Sequence, residues 1–455
     1  MKPRIQTLNL LLFFVSIIIL ICLQSFRFSD HDMAVTYVIA AITTGWFTWY
    51  SQGKQMSIFL FFLLTYHLFI GGRFFSHFID PELDIFETTY FYKYSVTYND
   101  KIKVFSFALS FVLFAVIGHT FVYLSRRNKS ILPVPSIKME EHDIDKLLDK
   151  AFPLFVLFII PKRILSIINT ISVGYGATAL GAEVNVSFVD KFLDMFFLIA
   201  LGLAIAYSDI KHIKKYFILY CISSVLTILS GSRAALGSFL LMSIWTYSRY
   251  YKLNVKKLIT YVAVGAIIMM SLFSFSVRSY NAGLNQLSPL DACLFFLHSN
   301  GVTLMVHEAS TRVSNYPILS YVQSFITGSN YIYSLVTGTK LAPEQASFSG
   351  HLCYELNPNL YYSGAGLGWS CISDLYLFSG GSLIIFCLWS FFIGYLISDI
   401  DKSSESKSFF VYMAAVLSPG IYMMSRGTIN SLFAMFPYIY FIYYVVYKIT
   451  PLRKN

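Results

Sequence analysis

The chain has 455 residues, 56% of them hydrophobic, 18% aromatic and only 13% charged, with a mean hydropathy of +0.61. A soluble domain carries about 25% charged residues, so the composition excludes a water-soluble enzyme and describes an all-α polytopic membrane protein. The net charge of +10 sits mostly in short loops between apolar runs, which indicates membrane topology and lipid-headgroup contact rather than nucleic-acid binding.

A bilayer core of about 30 Å needs about 20 apolar residues per helix. In chain order the spans fall at 8–26, 33–50, 56–75, 104–125, 151–171, 189–208, 216–231, 234–250, 259–277, 373–398, 408–424 and 429–447. These make twelve, in a single membrane domain over residues 1–455. The first run follows Met1-Lys2-Pro3-Arg4 and lacks a small-x-small cleavage site, so it counts as a span rather than a signal peptide. Alternate loops hold Lys54, Arg126, Arg127, Lys129, Lys138, Lys211, Lys214, Lys215, Lys252, Lys256 and Lys257. The tails add Lys2, Arg4, Lys448, Arg453 and Lys454. The positive-inside rule then makes both termini and the 126–150 loop cytoplasmic and places the long 278–372 connection outside. Two pieces of that connection, 290–307 and 316–336, are apolar and are broken by Gly301, Gly328 and Asn330. They read as interfacial or re-entrant helices of a long structured loop; as a pair of true spans they would raise the count to fourteen.

Three arginines fall where the chain leaves the outer face: Arg233 in Ser-Gly-Ser-Arg-Ala-Ala, Arg278 in Ser-Val-Arg-Ser-Tyr and Arg426 in Met-Ser-Arg-Gly-Thr. Outer loops normally lack such residues. Ser232 is suited to cap the next span, which puts Arg233 in its first turn. A cation there opposes the helix dipole unless an anion is bound. Arg278 ends its span, where the dipole suits it, and Gly427 lets backbone approach closely beside Arg426. The plain alternative is that each side chain snorkels to the interface. Taken together the three point to a phosphate-bearing ligand. Lys162 and Arg163 follow Pro161 inside the fifth run and either snorkel past the kink or line a cavity.

The outer connection also carries His298, His307, Glu308, Glu344, His351 and Glu355, each a general base or a surface group. Gly364, Gly366 and Gly368 alternate before Trp369. No strand precedes them, so they are not a dinucleotide fingerprint but a loop suited to close contact beside a substrate. Asp374 follows near the start of the tenth span, either as a base or as a dipole partner. The six cysteines are scattered without metal-ligand spacing.

Three patches carry a resemblance: Gly231-Ser232-Arg233-Ala234; Gly-Ala-Gly-Leu-Gly-Trp-Ser through Ser373-Asp374-Leu375-Tyr376 to Gly380-Gly381; and Arg426-Gly427 before the last span. With many spans and one long outer loop, the chain resembles the O-antigen polymerases of the Wzy type over most of its length. It departs from them at Ser379, where an acidic residue and an aromatic are often followed by Phe-Gly. The resemblance implies a fold similar to C-type membrane glycosyltransferases, in a bacterial inner membrane, with 278–372 periplasmic. It implies that a glycan on undecaprenyl diphosphate is transferred to one repeat unit on the same lipid, alongside a chain-length regulator and a flippase. No cofactor is expected, because the sugar is already activated on the lipid. Arg233, Arg278, Arg426 and Arg163 would bind the diphosphate, since arginine suits bidentate phosphate contacts. Asp374 is the first candidate base, with His298, Glu308 and His351 in reserve. Tyr280, Tyr361, Tyr362 and Trp369 would stack on sugars or form an interfacial belt. The rival readings are an O-antigen ligase, a flippase of the same lipid, which should show inverted repeats or charged broken helices, and a scaffold, which would not explain the outer arginines.

Overall fold

The computed structural model describes residues 2–53, 55–88, 94–125, 139–173, 188–230, 234–251, 288–326, 328–339, 341–362 and 366–452, with a few single positions between them. The first part of the chain forms α1 (Lys2–Ser25), α2 (Asp30–Ser51), α3 (Ile58–Phe69), α4 (Gly72–Ile79), α5 (Tyr98–Ser125), α6 (Ile144–Val173), α7 (Phe188–Tyr207), α8 (Ile210–Leu229) and α9 (Ala234–Tyr250). Short helices follow: α10 (Pro289–Asn300), α11 (Thr303–Ser310), α12 (Ile318–Phe325), α13 (Ser329–Thr337), α14 (Pro343–Ala346), α15 (Phe348–Leu356), α16 (Pro358–Tyr362) and α17 (Cys371–Phe378). The chain closes with α18 (Leu383–Ser404), α19 (Ser408–Met423), α20 (Asn430–Phe433) and α21 (Phe436–Ile449).

Among the described residues, six helical stretches are long and apolar enough to cross a membrane: Tyr98–Ser125, Ile144–Thr170, Ile210–Leu229, Leu383–Ser404, Ser408–Arg426 and Asn430–Ile449. The pair α3 and α4, bent by 58°, makes a seventh if it is one span. Asn9–Leu23 and Phe192–Tyr207 are apolar but shorter. The expected ninth run, 259–277, lies almost wholly outside the described residues.

Two expected spans are interrupted. The run 56–75 breaks at Gly71, where a Cβ would fall 2.6 Å from the His67 carbonyl oxygen and 2.4 Å from the Tyr37 ring. The run 373–398 breaks at Gly380 and Gly381, with φ of +58° and +76°, a left-handed backbone that glycine adopts without cost to a side chain.

α5 runs through the core, and α18 lies against it. Their backbones touch: a Cβ on Gly118 would lie 2.1 Å from the Phe391 carbonyl oxygen, and one on Gly394 would lie 1.9 Å from that of Ala115. Gly394→Val should therefore cost more than the roughly 1–3 kcal/mol of ordinary overpacking, because the blocking atoms are backbone. The expected outcome is aggregated protein after detergent extraction, read by size exclusion; a monodisperse variant with an unchanged melting temperature would show that the crossing yields.

Contacts at the helix ends fix the relative placement of the termini. Thr120, late in α5, donates to Asn9 at 2.6 Å, and His119 pairs with Ser398, late in α18, at 2.7 Å. The Asp143 N–H, just before α6, donates to the Pro451 carbonyl at 2.9 Å. Tyr207 meets Tyr443 at 3.1 Å. Both chain termini and the end of the 126–150 loop thus share one end of the bundle. The short helices α10 to α17 gather at the other, beside the first turns of α5 and α18. They carry a small core of their own, with Val306, Ala309, Tyr316, Phe348, Leu352, Cys353, Leu367 and Trp369. In contrast, α12 and α13 leave an apolar face bare, with Ile318 74% and Leu335 83% exposed.

Candidate functional site

α19 ends at Met423 and tightens into a single 3-10 turn, Met424–Arg426, before Gly427. The Arg426 side chain is exposed. Its guanidinium carbon sits 5.6 Å from the centre of the Phe69 ring, and its Nη1 donates to Asn300 Oδ1 at 3.3 Å. The turn is held from beneath by Asp374. Ser370 caps α17, which places Asp374 one turn in and fully buried. Its Oδ1 accepts from Trp369 Nε1 at 2.7 Å, and its Oδ2 accepts from the Ile429 N–H at 2.7 Å. Burial pushes this carboxyl up to about 7, against the pull of the Ile429 and Trp369 donors. Asp374 therefore ties α17 to the backbone three residues beyond Arg426.

Phe69 ends α3, and the next helix brings a residue that sequence reasoning passed over. Arg73 is almost fully buried and donates through Nη1 to the Ile85 carbonyl at 3.0 Å and the Glu87 carbonyl at 2.9 Å. The signal was present in Gly71-Gly72-Arg73, a cation at the end of an apolar run. α4 packs on α10 with no room for side chains: a Cβ on Gly72 would lie 2.3 Å from the Leu297 carbonyl oxygen, and one on Gly301 would lie 2.3 Å from the Arg73 nitrogen. On the same turn of α10, His298 meets Ser76 Oγ through Nδ1 at 3.1 Å and Glu87 Oε2 through Nε2 at 3.5 Å. Burial and the Arg73 charge hold this imidazole below its usual range, with Glu87 opposing. It is neutral at neutral pH. Arg426, Asn300, His298, Glu87 and Arg73 thus form one connected set around the α3–α4 break.

The remaining candidates lie elsewhere. Glu308 is buried and accepts from Arg312 Nε at 2.6 Å and from the Tyr94 hydroxyl; Arg312 also holds Asp100 at 3.0 Å. Burial raises the Glu308 carboxyl. His307 is buried between Phe107 and Tyr376 and is held down to about 3 by burial and Lys103. His351 packs on Tyr316 at 5.2 Å. Trp369 is buried and stacked on Phe348 at 5.4 Å, so its ring face is covered by the small core. Tyr361 donates to Glu344 and forms an edge-on cluster with Tyr354 and Tyr362; Tyr362 is 74% exposed. Arg163 shares Asp194 with Lys162, at 2.8 and 2.9 Å, and its Nε donates to Ser223 at 3.1 Å. That pairing builds a polar cluster between α6, α7 and α8. Arg233, Arg278, Tyr280 and Gly364 lie outside the described residues. Beyond Arg233, α9 packs on α19, where Ser238 donates to the Pro419 carbonyl at 3.4 Å.

Comparison with curated proteins and with solved structures gives no match. The family model of O-antigen polysaccharide polymerase Wzy matches residues 5–454. The helical, multi-pass architecture accords with that match. The chain belongs to the O-antigen polysaccharide polymerase Wzy family, glycosyltransferases that polymerise lipid-linked oligosaccharide repeat units.

Proposed function

We propose that this chain polymerises undecaprenyl-diphosphate-linked repeat units at the periplasmic face of the inner membrane, with Arg426 on the diphosphate that leaves. One observation carries the reading: an exposed arginine at the end of an apolar helix, on a turn locked by a buried carboxylate. The topology proposed with it has twelve spans, cytoplasmic termini and a periplasmic 278–372 segment. The lysine and arginine pattern supports it, as does the placement of both termini at the end opposite Arg426. Reporter fusions after residues 140 and 340 should report opposite sides of the membrane; same-side reporters would defeat the topology.

The acceptor hydroxyl attacks the anomeric carbon of the donor sugar as that carbon's bond to the diphosphate oxygen breaks. The leaving diphosphate carries two to three negative charges and needs cations rather than a strong acid. Stabilising that charge counts most in a dry, preorganised site. Arg233 and Arg278 complete the cation set in this proposal, and Arg73 holds the 85–87 backbone beside it. The hydroxyl proton passes to the His298–Glu87 pair. Glu87 is its half-exposed member, and its carboxylate takes the proton while His298 orients it. Asp374 positions the Arg426 turn. The Tyr354, Tyr361 and Tyr362 cluster offers ring faces to sugars.

Glu87→Gln and His298→Gln are each expected to slow chain growth roughly 10²-fold, with the acid limb of the pH–rate profile lost in the Glu87 variant. Unchanged rates in both would place the base elsewhere. A lipopolysaccharide gel of a deletion strain tests the whole reading. Lipopolysaccharide capped by a single repeat is the expected product, whereas loss of a ligase would leave none capped.

A further inference from the structure

A second cationic pocket opens at the same end of the bundle as Arg426. It is a cavity of about 470 Å³ between α1, α5 and the start of α18, lined by Phe26, Arg27, Tyr98, Asn99, Lys103 and Gly381 among others. Lys101, one turn from Tyr98, is neutralised by Asp30 at 2.7 Å. Among the described residues Arg27 and Lys103 have no such carboxylate; the Lys103 ammonium rests 5.0 Å from the centre of the Tyr376 ring. Two cations without counter-ions facing one cavity favour an anion there.

The walls indicate what bears the anion. Phe26 is 66% exposed at the end of α1, and Ile384 is 77% exposed in the first turn of α18. Apolar side chains therefore flank a cavity that Arg27 and Lys103 line. A headgroup on the two cations with its chain against Phe26 and Ile384 satisfies both; a free phosphate uses only the cations. α17 separates this pocket from the first site. Asp374 faces the Arg426 turn, and Tyr376, two residues on, lies under Lys103.

Joining two lipid-linked molecules requires two lipid headgroups to be held at once. Resting on the assignment of the Arg426 turn to one diphosphate, we propose that the Arg27–Lys103 pocket holds the diphosphate of the second lipid-linked substrate. The two sites are then separate, and each can be emptied without the other.

Farnesyl diphosphate is a suitable probe, titrated against the full-length protein in detergent with native mass spectrometry counting bound molecules. Wild type should bind two. The double variant Arg27→Ala, Lys103→Ala should bind one, the second weakened roughly ten- to thirty-fold, with an unchanged melting temperature; Arg27→Lys with Lys103→Arg should keep both. Arg426→Ala should lose the other molecule. If the double variant still binds two, the pocket assignment is overturned while the Arg426 site stands. If Arg426→Ala binds two and the double variant one, the pocket stands and the Arg426 reading falls. Inorganic pyrophosphate displacing the pocket's molecule at equal concentration would overturn the lipid part. A double variant that loses phosphatidylglycerol but keeps farnesyl diphosphate would give the pocket to a bilayer lipid and overturn its assignment to the second substrate.

Discussion

Arg426→Ala is expected to reduce polymerisation roughly 10²–10³-fold at equal expression, the usual cost of removing one preorganised contact to charge that develops in the transition state. Little stability should be lost with it, because the side chain is exposed and its contacts to Asn300 and Phe69 are peripheral. Arg426→Lys should rescue poorly: an ammonium lacks the planar fork that meets two phosphate oxygens together. The measurement is the ladder of glycan lengths in cells and the rate of chain growth with purified protein. A normal ladder from the alanine variant would remove Arg426 from the site.

Asp374→Ala should be as damaging, by a different route. It strands the Ile429 N–H and the Trp369 Nε1–H in the interior, at about 1–3 kcal/mol for each unsatisfied donor. The turn that carries Arg426 would loosen, so the melting temperature and chain growth should fall together. Asp374→Asn separates a base from a positioning role. A base predicts a folded, donor-binding protein that makes no polymer. A positioning role predicts partial activity with an unshifted pH–rate profile, because one amide oxygen still accepts. Stability should also respond to pH in a defined direction. The buried carboxyl is raised to about 7, above its unfolded value of about 4, so the folded state holds the proton more tightly. The associated stability is fully present below about pH 4 and is lost as pH rises to about 7. Asp374→Asn should flatten that part of the curve.

The membrane class and the place of Arg426 at the end of an apolar helix were legible because composition and charge placement act locally. Arg426 needed only its own neighbours to stand out. The interrupted spans were not legible, since an apolar run looks the same whether or not the backbone bends within it. At the break, Gly71 leaves no room for a Cβ beside Tyr37 and the His67 carbonyl, and Tyr37 belongs to another helix. Arg73 was hidden inside that run for the same reason. Asp374 was legible but its contact was not: its partner Ile429 is 55 residues away, beyond any periodicity. Trp369 has the amphipathic ring of a sugar platform, yet Phe348 covers it, a packing fact invisible in sequence.

The polar cluster on α6 has a consequence for the bilayer itself. α6 is the most exposed of the six long apolar helices. Near its start, Asp149 binds Lys215 at 3.0 Å; further along, Arg163 binds Asp194 at 2.8 Å. Fourteen residues separate Asp149 from Arg163, about 21 Å of helix, against a hydrocarbon thickness of about 30 Å. Exposed apolar residues continue past that second pair, at Ile164, Leu165 and Ile168, so the pair sits within the apolar length of α6 and not at its end. Lipid beside α6 therefore meets a polar group part-way along its acyl layer. Such a group is accommodated by local thinning of the bilayer and by cations reaching toward the headgroups. On this flank the membrane should be dimpled, with headgroups drawn toward the level of Asp194.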